Sequence, residues 1–260
     1  MEVFGPDGAS IGTVPTSKRR GLNRVTWSMR LKAPRVPTAA SALFGAAFGP
    51  RVLPGAYTVK MTKDKNVYTT SLNVIPDPRS TATPQDLRAQ FDLSMKLYTL
   101  LNEMTFAVDR LNGVRTALED RVSKLPANDA VGRRLRSASA QVDEIRKKIV
   151  ATKEGGMITG EERLRENLGD LYGGVIFYEG RPTQMQQTRT DALTHELADV
   201  VTSFDAWAAK ELPRINADLG KKNLQTIQPM TRDQWDKSGA AAPLRGSGGQ
   251  AIMRSGLVLN

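Results

Sequence analysis

The spacing of apolar residues changes once along this chain, at the proline-rich stretch "VIPDPRSTATP" of residues 74–84. Before this stretch apolar and polar residues alternate, and a period of two is typical of strands with one buried face. After it apolar residues recur every three or four positions, which is typical of amphipathic helices. The sequence therefore predicts an α+β protein with its strands first and its helices second.

Residues 1–76 are predicted to form a small Ig-like β-sandwich. The stretch "KRRGLNRVTWSMRL", residues 18–31, is predicted to be a strand with Trp27 on its core face and Arg24 and Arg30 on its solvent face. Residues 57–61 and 67–74 predict two more strands on either side of "KDKN", while 33–50 predicts a long loop with a short helical piece at 39–44. About five strands are expected, and because such sandwiches usually have about seven, we expect the domain to be truncated at its N-terminus.

Residues 77–83 are predicted to be a Pro-rich hinge, and residues 84–225 an antiparallel four-helix bundle. Thr83, Pro84 and Asp86 predict the start of the first helix, and the second is expected to start at residue 128 or 129. Thr159 and Glu162 predict the capping box of the third helix. Thr183 opens the fourth, which Pro213 is expected to kink or interrupt. Residues 226–260 are predicted to be a flexible tail.

Charge is unevenly distributed along the chain. Residues 1–80 hold 12 Lys and Arg against 4 Asp and Glu, a surplus of +8, whereas the chain as a whole carries +10. Lys18, Arg19, Arg20, Arg24 and Arg30 are therefore the candidate anion-binding residues. The alternative is that they only keep a strand face solvated. The sequence shows no helix-turn-helix, zinc-finger or RNP pattern, so no specific nucleic-acid partner is predicted.

The sequence offers few residues that could act in catalysis or bind a metal ion. There is no cysteine, and the single histidine, His195, lies four residues from Asp191 and from Asp199. This helical spacing could form a weak metal site, but a surface histidine with acidic neighbours is the preferred interpretation. Adjacent carboxylates such as Glu161 and Glu162 point in different directions on a helix, which does not suit glycoside hydrolysis. No catalytic residue, cofactor or metal site is predicted, and no run of apolar residues is long enough to span a membrane.

Three motifs in order carry a family resemblance. They lie in "GLNRVTWSMRL", "GPRVLPGAYTVKMT" and "VIPDPRSTATPQDLRAQFD", and their matching positions are Gly21, Asn23, Val25 and Trp27, then Pro54, Gly55, Tyr57 and Val59, then Asp77, Pro78 and Arg79. In this respect residues 1–125 resemble the C-terminal region of bacterial sortilin-like, BNR-repeat β-propeller proteins, which are often labelled glycosyl hydrolases. The later helices resemble that region more loosely.

The resemblance implies an Ig-like sandwich followed by helices, attached to an upstream propeller and usually exported to the periplasm or the cell exterior. No BNR Asp-box occurs in the sequence, so no sugar-processing residue is carried over. The resemblance therefore implies a non-catalytic structural or interaction module whose partner is the propeller or another protein. Two alternatives stay open: an accessory part of a glycan-processing hydrolase with its site in the propeller, and a weak anion-binding module that recognises a polyanion or glycan.

Overall fold

The computed structural model of the chain describes residues 1–17, 19–39, 43, 45–152 and 160–241. It confirms an α+β protein in which the strands precede the helices. The described residues form one four-stranded antiparallel sheet and five α-helices.

The sheet has the order β2-β1-β3-β4. Its strands are β1 (Glu2–Phe4), β2 (Ser10–Thr13), β3 (Gly55–Lys63) and β4 (Asn66–Val74). β3 and β4 form a hairpin whose two-residue turn, Asp64 and Lys65, follows from the pairing of Lys63 with Asn66. A second facing sheet is not seen among the described residues, so the Ig-like sandwich is not confirmed.

The prediction of a strand at 18–31 is wrong, although Val25 and Trp27 of its predicted apolar face do pack on a core. Residues 22–28 run without strand pairing, and Arg30 makes only an isolated bridge to Arg51. Trp27 nevertheless packs on the small core of the sheet, with its ring centroid 5.4 Å from that of Tyr57. The alternation ends at Met29, whose positive φ of 54° turns its side chain outward. Lys18 lies outside the described residues.

The helices are α1 (Pro84–Ser123), α2 (Ala130–Lys147), α3 (Leu164–Ile176), α4 (Gln184–Lys221) and α5 (Arg232–Ala241). α1 begins at the predicted start, and the structure adds a capping box there: the Asp86 N–H donates to the Thr83 hydroxyl and the Thr83 N–H donates to the Asp86 carboxylate. α3 begins at Leu164, later than Thr159 and Glu162 predicted, and Thr159 lies outside the described residues. α4 continues through Pro213, which lies on its exposed side.

The two long helices α1 and α4 run parallel. Lys96 pairs with Asp191, and Arg110 pairs with Asp205. The second pair lies 14 residues further along both helices than the first, so α1 and α4 point in the same direction. α2 runs antiparallel to α1, because Ser139 meets Glu119 whereas Asp143 meets the earlier Arg115. α1 alone is roughly 60 Å long at 1.5 Å per residue.

α2 and α3 are stacked end to end, and together they form a third column of helix that packs against both α1 and α4. α2 lies beside the C-terminal half of α1, while Gln90 near the start of α1 donates to the Val175 carbonyl of α3. Where α2 has ended, the Arg165 N–H donates to the Ile149 carbonyl at 3.0 Å, so the end of the α2 segment meets the start of α3 at these two residues. The four helices predicted up to residue 225 are thus found among the described residues. They form three columns, because α2 and α3 share the middle one. An antiparallel four-helix bundle is therefore not confirmed.

Part of the predicted flexible tail is ordered. Ile227 lies in the main core, and α5 places Trp235, which is 3% exposed, against α1. The indole Nε1 donates to the Asp109 carboxylate at 2.7 Å, and the guanidinium of Arg35 lies 3.9 Å from the centre of the indole ring. The prediction is therefore wrong for residues 227–241, and residues 242–260 lie outside the described part.

The long segment 33–50 attaches the sheet to the helices. The hydroxyl of Thr105 and the guanidinium of the buried Arg165 donate to the carbonyls of Arg35 and Pro37, at 2.8 and 2.7 Å. A single 3-10 turn, Gly45–Ala47, packs on α3 and is followed by the Phe48 carbonyl, which accepts from the Tyr172 hydroxyl at 2.8 Å. The short helix predicted at 39–44 falls mostly on residues that are not described.

Backbone contact fixes the position of this 3-10 turn. A Cβ atom on Gly45 would lie 2.7 Å from the Cα of Gly173 and 2.9 Å from the carbonyl oxygen of Gly169. Gly169 and Gly173 are one helical turn apart on α3, so together they form a flat strip. The "GDLYGG" sequence, which does not suit a phosphate loop, therefore serves close packing between two backbones.

Candidate binding cleft at the sheet–helix junction

A cleft of about 580 Å³ lies where the sheet meets the helices. Its helical side comes from the first two turns of α1 and the segment after α3, and its other side from residues 51–54 and the stretch that follows β4. Its lining is mainly apolar and comprises Met29, Arg51, Val52, Leu53, Pro54, Val74, Ile75, Pro76, Asp77, Pro78, Arg79, Leu87, Gln90, Phe91, Tyr178 and Glu179. A volume of this size is within the range of ligand and peptide sites.

Residues 74–79 of the proline-rich stretch form one rim of the cleft, in addition to connecting the sheet with the helices. Ile75 is 70% exposed although it is a large apolar side chain. Pro76 and Pro78 flank Asp77 and hold the rim extended, because proline fixes its own φ and restricts the preceding residue. The Arg79 N–H donates to the Asp77 carboxylate at 2.9 Å, which closes a local turn. The rim therefore presents an apolar side chain on a stiff backbone.

Two ion pairs border the cleft. Arg51 pairs with Glu179 at 3.2 Å and so joins the segment before β3 to the segment after α3. Arg79 pairs with Asp77 at 2.8 Å, and the hydrogen bonds from Arg79 hold the pKa of the Asp77 carboxyl below its usual value. Both pairs are largely solvent-exposed, so each contributes little to stability. Their charges are accordingly available to an incoming partner.

Arg30 has a structural position next to the cleft. Its guanidinium lies 5.3 Å from the centre of the Phe177 ring and 5.8 Å from that of Phe48, and it donates to the Gly49 carbonyl at 2.9 Å. Burial, followed by the nearby charge of Arg51, lowers the pKa of Arg30 from its usual value. Arg30 therefore stabilises the junction through its aromatic neighbours, and the prediction that it faces solvent is wrong.

Three of the other predicted anion-binding residues lie on the surface. Arg19, Arg20 and Arg24 are exposed, and no ion pair to them is found within the described parts of the chain. Arg24 and Arg30 are not on a common face, because Arg30 turns inward after Met29. The structure thus separates one member, Arg30, from an exposed basic group of three.

A second hollow of about 550 Å³ lies on the other side of the same junction. Both hollows are lined by Val52, Leu53 and Phe91. The sheet consequently rests on α1 through a narrow apolar contact with open space on either side. The helical spacing of Phe91 in the sequence predicts a place in the helical core, but the side chain faces this junction.

The residues considered for metal binding are surface groups. His195 is exposed, and Asp191 pairs with Lys96 at 2.7 Å. That hydrogen bond to Lys96 is the main cause of a lowered pKa for Asp191, while His195 contributes least. Within residues 1–17, 19–39, 43, 45–152 and 160–241, no group of three or more His, Asp or Glu side chains could hold a metal ion.

Sequence reasoning missed the cleft because its lining comes from five separated segments. A local signal was present in "VIPDP". Ile75 is followed directly by Pro76, and a proline is disfavoured inside a strand, so the strand is expected to end before Ile75 can reach the core. Tyr178 gave no such signal, because its helical spacing in the sequence predicts a core position although the side chain is more than half exposed.

In comparisons with protein-family models, curated proteins and solved structures, the chain has no match. A search of the described helices found none that combines the length and the apolar character needed to cross a bilayer.

Proposed function

We propose that this chain is a non-catalytic interaction module, the C-terminal appendage of a sortilin-like β-propeller protein, and that the cleft at the sheet–helix junction receives an apolar segment of the propeller. The observation that carries the proposal is the cleft itself, with its exposed apolar rim and stiff proline backbone. The three motifs that resemble the propeller family lie in segments that line it or run beside it.

The shape of the cleft favours a protein segment over a reaction site. Its charged groups form exposed ion pairs at the border, and the Gln90 amide donates to the Val175 carbonyl, whereas a catalytic site needs polar groups that converge on a reacting atom. An apolar lining bordered by charges is the usual composition of a protein interface, with an apolar centre and a polar rim. Met29, Ile75 and Tyr178 are the exposed apolar side chains that such a partner would cover.

The first test is the genomic sequence immediately upstream of the Met1 codon, which should encode propeller blades in the same reading frame. That propeller is then expressed separately and titrated with this chain by calorimetry. Ile75→Asp should weaken binding about tenfold or more, because a charge would be buried in an apolar contact. Met185→Asp is the matched control, because Met185 is 79% exposed but does not line the cleft.

Three results would contradict the proposal: an upstream region without a propeller, equal weakening by both substitutions, or robust turnover of a glycoside panel by this chain alone. The alternative of an accessory part of a hydrolase makes a different prediction. Joining the chain to the propeller should then create activity that the propeller alone lacks.

A second candidate function is weak binding of anionic polymers through Arg19, Arg20 and Arg24. It is favoured by their exposure and by their lack of acidic partners among the described residues. Heparin binding should fall steeply with added salt, and the triple substitution to Ser should remove most of it. Binding that is indifferent to salt would exclude this function.

A further inference from the structure

The outer edge of β4 is an open pairing surface. β4 pairs only with β3 among the described strands, and eight of its nine residues are exposed. Its sequence "NVYTTSLNV" contains no proline and no charge, in a chain where one residue in four is charged. Natural edge strands are usually protected by charges, prolines or bulges, and β4 has none of these.

The hairpin geometry determines which backbone groups of β4 are free. A two-residue turn closes on a hydrogen-bonded pair, here Lys63 with Asn66, and hydrogen-bonded and non-hydrogen-bonded pairs then alternate along the hairpin. The N–H and C=O groups of Tyr68, Thr70 and Leu72 therefore point toward β3. The outward groups belong to the residues between them, Val67, Thr69, Ser71 and Asn73.

We infer that β4 pairs with β4 of a second copy of this chain, antiparallel and about a two-fold axis at Thr70. In this register Val67 lies opposite Asn73 of the partner subunit, and Thr69 lies opposite Ser71 of the partner subunit. All four outward residues of each copy then meet outward residues of the other, so every free N–H and C=O between 67 and 73 finds a partner. Shifting the register by two residues leaves at least one of these residues unpaired.

Side chains also match in this register. Residues that face each other across β3 and β4 lie on the same face of the sheet, which places Met61 beside Tyr68 and Tyr57 beside Leu72. The two-fold axis then sets Tyr68 against Leu72 of the partner subunit, and this contact occurs twice. Tyr68 is 52% exposed and Leu72 is 40% exposed in the single chain, so the contact extends the apolar side of the sheet across both copies.

The charge of β4 is compatible with a second copy as the occupant. Two molecules that each carry +10 repel one another, so a contact between copies costs least on a surface without positive charge. β4 itself is neutral, and seven of the 12 basic residues of the first 80 lie in the segment 18–35, while Lys60 and Lys63 lie on β3 and Lys65 in the turn. At the axis, Thr70 faces Thr70 of the partner subunit, a pairing without electrostatic cost.

The test is the molar mass of the full chain by sedimentation and light scattering over a concentration series. The mass should rise from 28.4 kDa to twice that value. Thr70→Lys should abolish the dimer, because two like charges would lie directly opposite each other. Thr58→Lys, an equally exposed position on the inner strand β3, is the matched control and should leave the dimer intact.

Hydrogen exchange of backbone amides, measured by NMR at low and high concentration, identifies the surface. The amides of Val67, Thr69, Ser71 and Asn73 should become protected only at high concentration, while those of Tyr68, Thr70 and Leu72 should be protected at both. A wild-type chain that stays monomeric, a dimer that Thr70→Lys leaves unchanged, or protection without this alternation would each overturn the inference. Since Ile75→Asp changes the cleft and not the outward groups of β4, this result is independent of the proposed function.

Discussion

Gly45→Ala is the substitution that best tests how the sheet is attached to the helices. The added methyl carbon would lie 2.7 Å from the Cα of Gly173 and 2.9 Å from the carbonyl oxygen of Gly169, whereas carbon atoms pack best at about 3.5–4.0 Å. Both contacted atoms are backbone atoms of a buried part of α3, so neither can rotate away. The 3-10 turn must therefore shift off the helix.

The expected cost follows from two opposing effects. Overpacking of a core costs about 1–3 kcal/mol. Loss of backbone freedom in the unfolded chain, when Gly becomes Ala at a position without positive φ, returns about 0.4–1 kcal/mol. The free energy of unfolding should thus fall by about 1–2 kcal/mol, measured by urea denaturation followed by helical circular dichroism.

Gly174→Ala is the matched control on the same helix. No atom lies within 4 Å of a Cβ at Gly174, which is exposed. The change should stabilise the protein by about 0.5–1 kcal/mol, because alanine favours the helix. Limited proteolysis supplies a local measurement, with faster cleavage in residues 33–50 of Gly45→Ala only. If Gly45→Ala is as stable and as protected as the wild type, the proposed close packing is refuted.

Two further predictions concern α5 and the start of α2. Trp235→Ala should lower the free energy of unfolding by about 3 kcal/mol, because it removes a buried ring and its hydrogen bond to Asp109; a loss below about 1 kcal/mol in urea denaturation would contradict the docking of α5. The hydrogen bond from Lys222 and those from the α2 backbone hold the pKa of the Asp129 carboxyl below its usual value. Asp129 therefore contributes stability that is present above its unfolded pKa of about 4 and is lost as the pH falls through the lower folded value. Asp129→Asn should lower the melting temperature at pH 7 but change it little at pH 2, and an equal loss at both pH values would exclude this linkage.

The parts of the fold that were predictable from sequence depend on neighbours along the chain. The capping box of Thr83 and Asp86 involves residues three positions apart, so a short window contains its cause. The core-facing side of Trp27 was likewise predicted by alternation over a few residues. The same window could not show that no strand would pair with residues 22–28, because pairing depends on distant segments.

The candidate cleft and the attachment segment 33–50 could not be predicted from short stretches of sequence either, because both are formed by residues far apart along the chain. Gly45 and Gly173 are 128 positions apart, and nothing near either glycine indicates the other. α5 is a different case, because Thr231 and Gln234 form a capping pair directly before Trp235, and this signal was available. The alanine, glycine and serine content after residue 238 concealed it.

The hydrogen bond between Arg165 and Ile149 has a consequence for how this protein tolerates change in length. Because this contact joins the chain just after α2 directly to the first turn of α3, the helical phase of each is set by its own packing and not by the number of residues that connect them. An ordinary continuous helix would rotate its downstream side chains by about 100° for each inserted residue. The connection between α2 and α3 is therefore the natural place to graft a reporter or an affinity tag without disturbing the packing of the long parallel pair.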